Sequence, residues 1–191
     1  MNPYRKRILG LIKPVIEQRG KFSSALDFGS GDGWFACELA RLGVIGKITP
    51  VDVVKRKKNF IEPFIYDGKS LPFNDRYFDL SYAIDVMHHC PSPKESLRDL
   101  LRCTEKYFLI KDHIYRNKFQ KIILCVLDEI GNRRFGIRSI YKYQRGWEWS
   151  SLIEEAGFKL EILIYPARCH VGLLGLLTNR FEFIALWKRV K

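Results

Sequence analysis

The sequence predicts an α/β protein built on a doubly wound, mainly parallel sheet of seven strands that closes with a C-terminal antiparallel hairpin. Three observations carry that reading. Apolar stretches of strand length alternate with segments of helical spacing through most of the chain, the order that lays parallel strands between two helical layers. A glycine-rich stretch, "LDFGSGDG" at 26–33, joins the first strand to the helix after it, where such a sheet places its ligand. The last two apolar strands, 158–165 and 181–190, have no helical pattern between them, which predicts an antiparallel return.

Each element has its own signal. Residues 3–19 have the spacing of an amphipathic helix, and 24–29 read as a buried strand entering the glycine loop. A helix over 34–43 is closed by Gly43. Strands follow at 47–53, 61–67 and 77–86. In "SPKESLRDLLR", 92–102, Ser92 is placed as the N-cap, Pro93 as the first helical residue and Glu95 as the capping-box partner. Leu97, Leu100 and Leu101 form the apolar stripe of that helix. The fifth strand is 106–114, and a helix carrying Trp149, Leu152, Ile153 and Ala156 on one face ends at Gly157. Pro50 and Pro63 and the short connection 54–60 predict a thin, irregular edge at strands two and three. Without repeat or low-complexity linker, the 191 residues read as one domain.

Composition narrows the partners. The 33 basic against 21 acidic residues give a net charge of +12, a field that favours nucleic acid, phosphorylated metabolites or an anionic membrane surface. The apolar runs 122–127 and 171–177 fall far short of the roughly 20 residues of a spanning helix. The N-terminus lacks the unbroken apolar core of a signal peptide. Five cysteines with no CxxC pair read as reduced thiols of a cytoplasmic protein.

The glycine loop departs from the dinucleotide pattern G-x-G-x-x-G, because Trp34 stands where the third glycine would fall. Asp27 and Asp32 would repel a pyrophosphate, which needs backbone N–H groups and a helix N-terminus. A nucleoside with a cationic amino-acid tail suits them better. With "VDV" at 51–53, "DGKSLPFNDRYFDLSYAIDVMHH" at 67–89 and "SLIEEAGF" at 151–158, the chain resembles the class I S-adenosylmethionine-dependent methyltransferases, in their type 11, small-molecule branch. The resemblance implies a Rossmann-like fold and S-adenosylmethionine as cofactor. It further implies that Asp27, Gly29, Ser30 and Gly31 hold the methionine portion, Asp52 and Val53 the ribose, and Asp67 and Gly68 the adenine side, with Asp85 beside the cofactor. A turn or helix cap is the rival role for Asp67.

A methyl acceptor needs alignment and, where it carries a proton, a base. The candidates at the ends of strands four and five are His88, His89, Asp112 and His113. A metal is not expected, since adjacent histidines point apart and no ligand-spaced pair accompanies them. Residues 115–146 form an insertion in which apolar positions 119, 122, 123, 126, 127 and 130 share a helix face, followed by a basic and aromatic stretch. Placed over the sheet edge, it reads as a lid contributing Arg133, Arg134, Tyr141 and Tyr143 to the substrate. The apolar loop 166–180 reaches the same edge, to line the substrate mouth or touch a membrane surface. The acceptor then reads as a small amphiphilic or phosphorylated metabolite. A nucleic-acid substrate is the alternative, but the chain lacks the Asn/Asp-Pro-Pro-aromatic tetrapeptide of base-amino methylation and any added nucleic-acid module. A non-catalytic cofactor-binding scaffold is a second alternative. The sequence leaves the oligomeric state and the acceptor atom open.

Overall fold

A computed structural model describes residues 2–132 and 140–190 of the chain. Seven strands run side by side in one sheet: β1 (Phe22–Phe28), β2 (Ile45–Asp52), β3 (Phe64–Ile65), β4 (Phe78–Ile84), β5 (Thr104–Tyr115), β7 (Phe158–Ile164) and β8 (Glu182–Arg189), in the order β3-β2-β1-β4-β5-β8-β7. All neighbours pair parallel except β8, which is antiparallel to both β5 and β7. An eighth, two-residue strand, β6 (Gln144–Arg145), pairs parallel with the end of β5. The helices are α1 (Pro3–Glu17), α2 (Trp34–Ala40), α3 (Pro93–Arg102), α4 (Lys118–Asn132), α5 (Glu148–Glu155) and α6 (Gly172–Thr178).

Strand residues alternate between two helical layers. Leu26, Phe28, Phe108, Ile110, Phe183, Ala185 and Trp187 pack with Leu97, Leu100 and Leu101 of α3 and Trp149, Leu152 and Ile153 of α5. Ala25, Leu80, Tyr82, Leu109, Ile184 and Leu186 face Ile8, Ile12 and Ile16 of α1 and Leu39 of α2. Central strands buried on both faces explain why these stretches read as continuous apolar runs.

The structure corrects several expectations. Ser92 precedes α3 without a side-chain capping bond, so the capping box is not made. The third strand shrinks to two exposed residues. Because β3 pairs only with Val51 and Asp52, β2 is an open edge at Pro50, where a missing N–H costs no ladder bond. The hairpin connection holds a short helix, α6, where none was expected, and α2 ends at Ala40. The apolar face predicted for the insertion points largely outward: Phe119, Ile122, Val126 and Ile130 are exposed, whereas Leu124 packs inward with Tyr143 and Phe181.

Arg189, near the end of β8, gathers three element ends. Its guanidinium donates to the Leu101 carbonyl at 2.7 Å, the Thr104 carbonyl at 2.7 and 3.0 Å and the Ala156 carbonyl at 3.0 Å. These carbonyls lie in the last turn of α3, at the C-cap of α5 and at the start of β5, where helix ends leave carbonyls unpaired. Arg189→Ala is expected to lower unfolding stability by about 2 kcal/mol, read by urea denaturation. A midpoint equal to that of the parent would remove this clamp from the account.

Candidate active site

The carboxyl ends of β1, β4 and β5 and the start of β8 meet at one edge of the sheet. After β1 the chain turns through Gly29 and Gly33, both at positive φ (68° and 72°). A side chain at Gly29 would strike Val86, its Cβ only 2.0 Å from the valine Cγ2. A side chain at Gly33 would lie 2.5 Å from the Ile61 carbonyl oxygen. The loop is therefore folded tightly against Val86, after β4, and Ile61, before β3. Arg5 of α1 holds Asp32 through two hydrogen bonds of 2.7 and 3.0 Å, and Asp32 accepts the Trp34 N–H at 3.2 Å.

Asp27 is buried beneath this loop beside Tyr82. Burial pushes its carboxyl up to about 8, against the Tyr82 hydroxyl and with the nearby charge of Asp52 adding to the rise. Its Oδ2 and the Oγ of Ser30 are buried without a partner among the described residues. Such orphaned oxygens fit a ligand that brings its own donors, as the amino-acid tail of S-adenosylmethionine does. The residues predicted to hold the methionine portion, Asp27, Gly29, Ser30 and Gly31, thus lie together in one cradle.

Asp52, at the end of β2, is more heavily used than its predicted ribose role requires. Its Oδ1 accepts the N–H groups of Val53 at 2.7 Å and Val54 at 3.0 Å, and its Oδ2 accepts that of Gly31 at 2.8 Å. A carboxylate offers about four acceptor positions, so with these bonds intact Asp52 keeps one for a ribose hydroxyl rather than two. Asp67 is exposed and accepts the N–H groups of Lys69 and Ser70 at 2.9 and 3.4 Å. This is the turn-capping role, with Gly68 following at a φ of 76°.

Beyond the loop lies a buried network of charge. Lys111, fully buried on β5, donates to the Tyr4 hydroxyl and to Asp85, and pairs with Glu182 at 2.5 Å. Burial alone would discharge this ammonium, but Asp85 and Glu182 outweigh it and raise its affinity for the proton. Tyr4 in turn donates to Asp85 at 2.9 Å. Asp85, expected beside the cofactor, is bent into the left-handed region (φ 53°), with its carboxylate taken up by Lys111 and Tyr4. The next residue, Val86, makes the approach to the glycine loop.

His113 lies opposite Glu182 in the β5–β8 ladder, its Nε2 3.1 Å from that carboxylate, and its Nδ1 is 3.5 Å from Asp112. Burial opposes its charge, yet Glu182 and the hydrogen bond with Asp112 raise its pKa to about 10. His113 is therefore a cation at neutral pH and unsuited to accept a proton. On the other face of β5, Asp112 accepts the Met87 N–H at 3.1 Å and meets His88 Nδ1 at 2.5 Å. Burial would raise the Asp112 carboxyl, but His88 and His113 hold it well below the usual carboxylate range.

His88 and His89 occupy a 3-10 turn (Met87–His89) that follows β4. Their rings do not point apart as expected: the centroids are 4.1 Å from each other, and the Nε2 atoms lie 3.9 and 3.7 Å from Asp128 of α4. His88, His89 and Asp128 could together offer three ligand atoms to a metal ion, so the sequence ground for excluding one does not hold. Burial first, then the neighbouring His88, lowers His89 to about 4. Tyr143 stacks on His88 at 4.7 Å between ring centroids, and Lys142 N–H donates to the His88 carbonyl at 3.1 Å. The insertion thus covers the histidines with α4 and residues 142–143. Tyr141 instead reaches Glu129 on α4 with its hydroxyl. Arg133 and Arg134 lie outside the described residues.

Sequence reasoning missed Tyr4, Lys111, Asp128 and Glu182. Two of these had a signal, since a lysine within "YFLIKDHI" and a glutamate within "FEFIALW" are charges inside apolar strands, where they persist only when paired. Tyr4 and Asp128 had none, because both reach the site by tertiary packing.

Residues 26–107 match the family described as the methyltransferase domain. A search of curated proteins found no match. Among solved structures, the chain is similar to a SAM-dependent methyltransferase from Aquifex aeolicus, with 16% identity, all of both chains covered and a TM-score of 0.60. It is also similar to an S-adenosylmethionine-dependent methyltransferase from Mesorhizobium loti, at 13% identity over 93% of this chain and 97% of that one, with a TM-score of 0.64. The [4+2]-cyclase SpnF shares the fold as well, at 14% identity over 96% and 80% of the two chains and a TM-score of 0.66. These likenesses establish the fold, which by itself hosts more than one chemistry.

The protonated state of Asp27 has a measurable consequence. A cationic ammonium seated against Asp27 would favour the ionised carboxylate, so its binding would expel the proton that burial retains. Affinity for S-adenosylhomocysteine is expected to rise as pH increases from about 6 towards 8 and to level off above it. Asp27→Asn should flatten that rise in titration calorimetry. An unchanged slope in the variant would assign the titration to another group.

Proposed function

We propose that the chain, whose residues 26–107 match the methyltransferase domain, is a class I S-adenosylmethionine-dependent methyltransferase, and that its acceptor is a hydroxyl or amine on a small amphiphilic or phosphorylated metabolite, deprotonated by His88. One observation carries this reading. His88 is paired with the buried Asp112 at 2.5 Å and stands two residues after Val86, against which the cofactor loop closes. When bound, the cofactor supplies an electrophilic methyl group on a sulfonium. What the chain must add is alignment of the acceptor and a place for its proton.

Asp112 supports the second task. A carboxylate held ionised fixes the imidazole through Nδ1 and stabilises the positive charge that arises when Nε2 takes a proton. His113 stays cationic and neutralises the surrounding acids. Tyr143 and Asp128 of α4 cover His88, and Leu124 packs behind Tyr143. The exposed apolar residues of α4 and α6 at the same edge favour such an acceptor over a nucleic acid.

His88→Asn and Asp112→Asn are expected to reduce methyl transfer by about 100-fold or more, while S-adenosylhomocysteine binding stays within a few-fold. The assay supplies labelled methyl donor to fractionated lysate extracts and follows label into the lipid and small-molecule pool. Label in nuclease-sensitive material would replace the acceptor class. Full activity in His88→Asn would remove the base from His88.

A further inference from the structure

We infer that the sheet edge carrying the active site is also a docking face for an anionic lipid bilayer, with α6 and the outer side of α4 lying in the interface. The reading rests on exposure and charge and is independent of which acceptor atom is methylated. On α6, Leu173, Leu174, Leu176 and Leu177 are all exposed, Leu176 at 80%, while only Gly175 and Thr178 face inward. On α4, Phe119 (69%), Ile122, Val126 and Ile130 are exposed at helical spacing, on the side away from Leu124 and Asp128. Isolated exposed leucines are ordinary on a protein surface, but two whole helix faces are not.

The topology brings the two helices to one place. α4 leaves the carboxyl end of β5, and α6 lies in the connection that precedes β8, which runs antiparallel to β5. Leu124 of α4 packs in one cluster with Phe181, just beyond α6. The start of α1 joins the same edge, since Tyr4 stacks on His170 with ring centroids 4.4 Å apart. α6 is held on the body by a paired clamp: Asn179 Oδ1 accepts the His170 N–H at 2.9 Å, and Asn179 Nδ2 donates to the His170 carbonyl at 3.1 Å. Its leucines are thus presented on a fixed support.

The charge around these faces selects the occupant. Lys6, Arg7, Arg116, Lys118, Arg168 and Arg180 are all exposed and flank the three helices. The segments 2–16, 113–127 and 165–181 contain no Asp or Glu. Apolar helix faces rimmed by cations match the interfacial mode, in which side chains enter the headgroup boundary and basic residues meet anionic lipid. A second copy of this chain would bury the leucines but would oppose two cationic rims, which disfavours it. No helix among the described residues is long and apolar enough to cross a membrane, so the protein would lie on the bilayer rather than span it.

Sedimentation with vesicles tests this directly, using phosphatidylcholine alone and phosphatidylcholine with one-third phosphatidylglycerol. The full chain is expected to bind the anionic vesicles at least about tenfold more tightly than the neutral ones, and to lose that preference in high salt. Leu173→Ser combined with Leu176→Ser should weaken binding by about tenfold or more, with the S-adenosylhomocysteine thermal shift retained as proof of folding. Equal binding to both vesicles, no binding by the parent chain, or undiminished binding by the double variant would overturn the inference. So would a dimer in sedimentation velocity that the same two substitutions dissociate.

Discussion

A lysine ammonium buried at the end of a β-strand is the constraint around which this site is assembled. Such a charge is stable only when neighbours compensate it, and removing one partner of a buried pair costs about 3–5 kcal/mol. Lys111 is compensated by Asp85, Glu182 and the Tyr4 hydroxyl. Those partners come from the turn after β4, the first residue of β8 and the start of α1, so one charge ties together segments distant in sequence. Asp85 takes up a left-handed backbone as part of the arrangement. Glu182, once fixed by Lys111, in turn faces His113 and His170.

Alternation along β5 converts this constraint into a division of labour. Lys111 projects to the side of α1, where it meets Tyr4, Asp112 projects to the other, where it meets His88 and the Met87 N–H, and His113 lies between Glu182 and Asp112 with its ring against His88. Three consecutive residues therefore supply a structural cation, an orienting carboxylate and a second cation that keeps the carboxylate ionised. On the far side of Val86, Asp27 has the opposite environment. It lies beneath the glycine loop beside Tyr82, and burial leaves it with the proton. The same edge thus holds one carboxylate kept charged by its neighbours and another that burial leaves protonated.

The fold was legible in the sequence because its strands are buried on both faces and punctuated by glycine. Gly29 and Gly33 could be read as a tight loop since close approach to Val86 and Ile61 leaves no room for a side chain. Less was legible at the edges. The run 166–180 gave no helical period, yet a His170–Asn179 clamp lets α6 form within the hairpin. The α4 pattern revealed a helix but not its orientation, because periodicity reports an apolar face and not what covers it. The histidine pair illustrates the same limit: neighbours in a strand diverge, but a 3-10 turn brings both rings toward Asp128. Charges recruited from α1 and α4 depend on tertiary packing, to which local spacing is blind.

The protonation state of His113 reports on the whole network at once, because it depends on Glu182, Asp112 and Lys111 together. Nitrogen-15 NMR of labelled histidine across the pH range measures it without knowledge of the substrate. His113 is expected to remain an imidazolium well above neutrality and to titrate near 10. Titration near the ordinary histidine value of about 6.5 would contradict the buried charge network on which the site is built.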